Sequence, residues 1–552
     1  MAEPPTAARR LVERLVDHGV ERVFCVPGES YLAVLDALAD VRDTIAVVAC
    51  RHEAGAANMA EAHGKLIGRP GACMVTRGPG AAQAYVGLHT ASQDSTPLIL
   101  FVGQVALAHK GRGAFQEMDF AAVFGSQAKW AAELDEGSRT AELVDRAFAT
   151  ATQGRQGPVV LALPEDVLTQ PGGEGRPPPS PPARAGLDPQ ALSAIGARLA
   201  AAERPMVILG GSGWTAYSLQ TFSDWLAAHD LPVVLSFRRK DLIDNDHPSY
   251  AGDLGLSPNP LLIERLKSAD LLLAIGARLG ENPSQGYTLF TPEITAQRLI
   301  HIHSGAEEIG RVWPPAIGAV ADPAPAALAL AGLDLPPRSP EWRSGAHADW
   351  ESFAAPIAVE AKVNLSEIVA HMARVLPANA IMTNGAGNFA GWLHRFYRHR
   401  GFRTQLAPTS GAMGYGFPAA IAAKLAEPAR EVICLAGDGD FMMSAAELAT
   451  AVQYGANVVT VVVDNGSYGT IRMHQEREYP GRVIATDLRN PDFAVLARSF
   501  GAWGASVDRT ADFAAAFDAA RAAEAPAIIH LKTDVEAIAP GRTLTGLRAG
   551  RG

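Results

Sequence analysis

Glu431-Val-Ile-Cys-Leu-Ala436 runs into Gly437-Asp438-Gly439-Asp440, and Asn457-Val-Val-Thr-Val-Val-Val463 runs into Asp464-Asn465-Gly466-Ser467-Tyr468-Gly469. Both apolar runs are rich in β-branched residues, and Ser444 to Tyr454 between them reads as a helix. They are therefore neighbouring parallel strands whose polar loops leave the same edge of a sheet. One carboxylate, Asp438, and one carboxamide, Asn465, converge there. Such hard oxygen ligands suit Mg²⁺, which keeps phosphate oxygens and water in its other positions. The glycines let a phosphate approach the backbone, and a helix expected to begin near Ser444 turns its free N–H groups and positive dipole end toward it. The pattern predicts a site for a metal-bound diphosphate.

Working outward, the 552 residues are enough for three or four domains of about 150 residues. Apolar residues make up 48% and charged ones 19%, with 53 glycines and 38 prolines, which fits an α/β chain with many short loops. No apolar run reaches the roughly 18 residues of a membrane helix, and the start has neither a basic nor an apolar leader region, so a cytoplasmic protein without a membrane partner is expected. A net charge of −10 without a basic cluster argues against nucleic acid. The short basic stretch His394-Arg-Phe-Tyr-Arg-His-Arg400 reads as a solvated helix end or a subunit contact. Cys25, Cys50, Cys73 and Cys434 lie in or beside apolar runs without metal-binding spacing, and read as inert core thiols.

Strand and helix alternate along three segments, which implies parallel sheets. Expected strands are 22–26, 45–50, 71–76, 98–103 and 158–163, then 206–209, 232–235, 271–275 and 299–303, then 380–383, 431–436, 457–463 and 527–531. Pro- and Gly-rich stretches at 170–186 and 335–340 separate them. The expectation is an α/β chain of three doubly wound parallel-sheet domains, at 1–170, 187–334 and 363–552.

The Gly-Asp-Gly loop followed by an Asn-containing loop resembles the signature of thiamine diphosphate enzymes. Across nearly its whole length the chain resembles the catalytic subunit of acetolactate synthase and the related 2-oxo-acid carboligases, oxidases and decarboxylases. The three domains then correspond to pyrimidine, central and diphosphate domains. The resemblance implies that Asp438, Asn465 and the backbone carbonyl of Ser467 ligate Mg²⁺. It also implies that Gly437, Gly439, Asp440, Tyr468 and Gly469 line the cofactor. Asp464 departs from the family, which usually carries Asn there.

By the same resemblance, Glu53, in Cys50-Arg51-His52-Glu53-Ala54-Gly55, is the carboxylate that hydrogen-bonds the cofactor's aminopyrimidine ring. Pro27 and Gly28, and the turn Thr76-Arg77-Gly78-Pro79-Gly80-Ala81-Ala82-Gln83, face that ring, with Thr76, Pro79 and Gln83 as contacts. In Gly113-Ala114-Phe115-Gln116-Glu117, Phe115 and Gln116 face the reacting centre. Met413, after Gly411, takes the place of the apolar wedge between the cofactor's two rings. Gly385, Gly387, Asn388 and Phe389 align with the diphosphate loop, where acetolactate synthases commonly carry Gln-His in place of Asn388-Phe389. His474 stands where they usually place a Trp.

The central domain offers Gly210-Gly211-Ser212-Gly213 and Gly276-Ala277-Arg278, similar to nucleotide-facing loops. His301-Ile302-His303-Ser304, however, occupies the place where FAD-binding relatives often carry acidic residues, so FAD is not favoured. The implied reaction is decarboxylation of a pyruvate-like 2-oxo acid with acyl transfer to a carbonyl acceptor. A 2-oxo-acid decarboxylase, an acyloin lyase or an FAD-linked pyruvate oxidase is the alternative. The resemblance also implies a homodimer or homotetramer with active sites shared between subunits.

Overall fold

The computed structural model describes residues 4–550. Long runs of buried β-branched and aliphatic residues form central strands, as parallel strands covered on both faces require. The first unit carries β1 (Arg22–Cys25), β2 (Ala46–Ala49), β3 (Gly71–Val75), β4 (Leu98–Gln104), β5 (Trp130–Glu133) and β6 (Pro158–Pro164). The second carries β7 (Pro205–Leu209), β8 (Val233–Ser236), β9 (Tyr250–Leu254), β10 (Leu271–Ile275), β11 (Leu299–His303) and β12 (Ile317–Val320). The third carries β13 (Ile381–Asn384), β14 (Gln405–Leu406), β15 (Val432–Gly437), β16 (Val459–Asp464), β17 (Trp503–Val507) and β18 (Ala527–Lys532).

Each unit is one six-stranded parallel sheet with helices on its faces, so the expected doubly wound α/β class holds three times over. The first sheet runs β2-β1-β3-β4-β6-β5 and the third β14-β13-β15-β16-β18-β17, which is the same order. The second runs β12-β11-β10-β7-β8-β9. Five strands were not anticipated from the sequence: β5, β9, β12, β14 and β17. All five lie at sheet edges. The helix Glu341–Ala354, beyond the second Pro-rich stretch, packs on β9 of the second sheet, with Trp350 edge-on to Tyr250.

The first and third units share a helical layer. Helix Glu53–Ile67 packs against Gly78–Asp94 and against Gly416–Ala426, burying Ala57, Ala60, Phe417 and Ala420 in one apolar cluster. A buried polar knot fastens the layer. Glu61 accepts from Tyr415 at 2.6 Å and from Thr96 at 2.6 Å, while Lys65 lies 3.3 Å from Glu61 and also pairs with Asp94. Burial pushes the Glu61 carboxyl up, against the opposing pull of Lys65.

The basic stretch at 394–400 is not a solvated helix end. His399 is buried, the fully buried Lys240 donates to the carbonyls of His394 and Tyr397, and Arg398 and Arg400 both pair with Asp246. Its charges are used to join the second unit to the third. All four cysteines are free and buried, and no helix among the described residues is long and apolar enough to cross a membrane.

Candidate active site

In a doubly wound sheet, ligands sit beyond the carboxyl ends of the strands, where the strand order reverses. In the third sheet that point lies between β13 and β15, whose following loops are Gly385-Ala386-Gly387 and Asp438-Gly439-Asp440. The register Gly437↔Val463 sets the ends of β15 and β16 side by side, so both polar loops do emerge together. They open on a cleft of about 230 Å³, lined by Gly387, Met413, Asp438, Asn465, Ser467 and Ile538 among others.

Three helices begin at this cleft: Asn388–Phe396 after Gly387, Asp438–Met442 after Gly437, and Gly469–Glu478 after Tyr468. None has a side-chain cap. Other helices of the chain also start without a side-chain cap, among them Thr140–Thr152 and Thr510–Ala522, so what sets these three apart is that their N-termini meet at one cleft. The helix behind the Gly-Asp-Gly loop starts at Asp438, not near Ser444 as expected from sequence, because two acidic residues in its first turn suit the dipole. After Ser444 a 3₁₀ turn, Ala445–Glu447, runs directly into the helix Leu448–Gln453, so the helical stretch expected between the two strands is also present. A Cβ at Gly437 would lie 2.7 Å from the Phe389 ring, and one at Gly439 would lie 2.6 Å from the Tyr468 ring. Bare backbone is required at both.

Three aspartates organise these loops. Asp440, buried, accepts from the N–H groups of Ala386 at 3.2 Å and Gly414 at 2.8 Å, so one carboxylate fixes the loops carrying Gly387 and Met413. Burial pushes its carboxyl up to about 7, the two N–H groups opposing. Asp438 accepts from Gly439 N–H at 2.9 Å and from Asn490 at 2.7 Å. Asp464 accepts from Asn490 at 2.8 Å, Gly466 N–H at 3.0 Å and His530 at 2.7 Å. Burial holds Asp438 up, whereas the donors around Asp464 outweigh burial and hold it down.

The first sheet reverses between β1 and β3, and a second group of predicted residues collects there. Gly28 packs on Thr76, where a Cβ would lie 2.4 Å from the Thr76 side chain; Gly80 faces Thr76 and the Glu53 carboxylate. Glu53 opens its helix at the end of β2. The preceding turn is gripped from the third unit, for buried Glu447 accepts from the N–H groups of Arg51 and His52. Gln116 has φ +62°, a left-handed conformation unfavourable for a residue with a Cβ. It is held there by Gly78 N–H donating to its carbonyl at 3.0 Å, by Arg77 reaching the Phe115 carbonyl, and by Glu117 accepting from Gly111 and Ala114 N–H. Phe115 is 73% exposed.

Comparison with known proteins accounts for both groups. Residues 5–123 match the N-terminal binding domain of the thiamine pyrophosphate enzymes, 192–330 their central domain and 385–531 their C-terminal binding domain. The acetolactate synthase large subunit of Parasynechococcus marenigrum is 30% identical over 91% of this chain and 83% of its own length. The chain belongs to the thiamine pyrophosphate enzymes. Acetolactate synthase isozyme 2 large subunit of Escherichia coli is 28% identical over 96% of this chain, and a putative thiamine pyrophosphate-containing protein of Bacillus subtilis is 28% identical over 99%.

The thiamine pyrophosphate cofactor of this family fits the C-terminal cleft, since free helix N–H groups and bare glycines are what a diphosphate needs. Among the described residues no cluster of three His, Cys, Asp or Glu could hold a metal unaided. An ion there would draw on Asp438, amide and carbonyl oxygens, and phosphate.

Of the residues anticipated from sequence, Gly387, Asn388, Phe389, Gly411, Met413, Gly437, Asp438, Gly439, Asp440, Asn465, Ser467, Tyr468 and Gly469 line this one cleft. Gly385 lies just behind, its Cα against Asp440. Pro27, Gly28, Glu53, Thr76, Pro79, Gln83, Phe115 and Gln116 do not line it, for every lining residue falls between 365 and 538. Pro79 and Gln83 are exposed on the first unit. The Asn388 amide is engaged internally, accepting from Thr470 and donating to the Ile538 carbonyl, while His474 is exposed and contacts Arg477. Asn490, His530 and Glu447 escaped sequence reading. Only the register Val462↔His530, which puts a histidine two residues short of the Asp464↔Lys532 pair, could have drawn attention to one of them.

Proposed function

We propose that the chain binds thiamine diphosphate with Mg²⁺, decarboxylates a pyruvate-like 2-oxo acid and transfers the acyl unit to a carbonyl acceptor, as acetolactate synthases do. The observation that carries this reading is the cleft itself: three uncapped helix starts and the oxygens of Asp438, Asn465 and Ser467 face one space. Bound thiamine diphosphate supplies the carbon nucleophile that such chemistry requires. The protein positions and protonates. Asp438, Asn465 and the Ser467 carbonyl would hold the metal. Backbone N–H groups after Gly387, Gly437 and Tyr468 would hold the diphosphate, and Met413, which lines the same cleft, would pack against the bound cofactor.

Glu53, in a wall formed by Pro27, Gly28, Thr76, Pro79 and Gln83, would hold or release a proton at its carboxyl toward the bound cofactor's ring. Phe115 excludes water, and Gln116, its backbone already fixed, donates to the oxygen on which negative charge develops. Because the Glu53 group lies outside the cleft of its own chain, we assign each complete site to two chains, in a cytoplasmic homodimer or a tetramer built from it. Exposed Phe115, Met442, Met443 and Ile471 are the apolar surface a second copy would cover.

We further propose that FAD is not the favoured cofactor of the second unit. In the second unit Gly211, Arg239 and Arg278 border a separate cavity of about 400 Å³, but the Gly211 and Gly276 turns pack directly on each other, a Cβ at Gly211 lying 2.2 Å from the Gly276 carbonyl, and Arg239 donates to the Gly211 carbonyl. Arg278 is already paired with Glu308 at 3.2 Å. The test is a panel of 2-oxo acids supplied with and without Mg²⁺ and thiamine diphosphate. Acetolactate-type products support this reading. Aldehyde alone would reassign the chain to a decarboxylase or lyase, and peroxide with flavin absorbance to an oxidase.

A further inference from the structure

Resting on the metal-bound reading above, we propose that Asp464, held by His530 and Asn490, is a positioning residue that raises the metal affinity of the Asp438 loop without being a ligand. Asp464, Asn490 and His530 do not line the cleft; they stand behind Asp438. The Asn490 amide nitrogen donates to both carboxylates, 2.7 Å to Asp438 and 2.8 Å to Asp464. An amide has two N–H groups on one nitrogen, so each carboxylate takes one, and flipping the amide would turn its oxygen onto two carboxylates.

Both carboxylates only accept, so together they hold the Asn490 amide in one orientation. An asparagine at 464 presents N–H as well as oxygen, which leaves Asp438 alone to hold that amide. The far side of Asp464 is also fixed. His530 Nδ1 accepts the Phe493 N–H at 3.3 Å, so Nε2 carries the hydrogen that Asp464 receives at 2.7 Å. The Asp464 Oδ1 that accepts from Asn490 also accepts Gly466 N–H in the loop that carries Asn465. One residue thus orients Asp438 through Asn490, closes the Asn465 turn, and adds a second negative charge near a divalent cation, the part that outer partners play around metal ligands.

Calorimetry of Mg²⁺ titrated into full-length protein saturated with thiamine diphosphate tests this. Asp464→Asn is isosteric and is expected to weaken Mg²⁺ about tenfold, the low end of what loss of an outer partner costs, with the melting midpoint of the metal-free protein unchanged. His530→Phe keeps the edge-on packing against Phe493 and removes the donor; it is expected to weaken Mg²⁺ severalfold. Wild-type affinity in both variants overturns the proposal, as does a lowered metal-free midpoint with affinity intact. Failure of the wild-type protein itself to take up Mg²⁺ overturns instead the reading on which the proposal rests.

Discussion

The two half-sites occupy the same topological position in sheets of identical strand order, yet they leave opposite things unsatisfied. At the end of β15 the chain leaves free helix N–H groups, bare glycines and open space. At the end of β3 the donors are spent: Gly78 N–H and Arg77 hold the 115–116 backbone, Glu117 caps its own loop, and a carboxylate and an exposed phenylalanine remain on offer. The first arrangement attracts an anion with its counter-ion. The second is a pre-stiffened wall that costs little further entropy when it meets a ligand held by another surface. On the proposed reading, each half is completed by the other half of a second copy.

The largest effect should come from removing the carboxylate on that wall that faces Gly80. Glu53→Gln keeps size and hydrogen bonding but cannot trade a proton, so turnover is expected to fall about 10²-fold or more while thiamine diphosphate still binds. Steady-state rates beside a cofactor titration check it; unchanged turnover would remove Glu53 from the mechanism.

Next in size is complementation between the halves. Glu53→Gln and Asp438→Ala chains, each nearly inactive alone, are expected to recover about a quarter of wild-type activity when refolded together in equal amounts. Half of the random dimers are then mixed, and each mixed dimer holds one site with both defects and one with neither. No recovery, with mixed dimers confirmed by mass, would place both residues of a site in one chain.

The comparison also separates what sequence makes legible from what it does not. Central strands such as β4, β6 and β15 are uninterrupted buried runs and were found. Edge strands such as β5, with every residue half-exposed, and β14, only two residues long, have no such run to show. The glycines and Asp438 were readable because a local turn dictates them. Asn490 and Glu447 were not, because their roles exist only once segments 52 and 396 positions apart meet.

A smaller effect is expected from filling the cleft's bare backbone. In Gly439→Ala the new methyl meets the Tyr468 ring, which must shift, and overpacking of this kind costs about 1–3 kcal/mol. Affinity for thiamine diphosphate should fall about tenfold with the Glu53 wall untouched; calorimetry measures it, and undiminished affinity would mean that the diphosphate lies elsewhere.

The smallest effect isolates the stability of the Glu53 helix from its chemistry. His63 is buried in that helix beneath Phe24, with Nδ1 unpartnered. Burial, aided by Arg22 and Arg69, pushes its imidazole down to about 3. The unfolded chain, with an ordinary imidazole near 6.5, therefore binds a proton that the folded chain refuses. The stability contribution is complete above about pH 6.5 and drains away as pH falls toward 3. His63→Leu removes this term, so the variant should gain about 0.8 kcal/mol relative to wild type between pH 8 and pH 6. Denaturant melts at the two pH values measure the shift, while turnover at pH 8 is expected to stay at the wild-type rate. A parallel loss of turnover would show that the helix does more than carry Glu53 to its place.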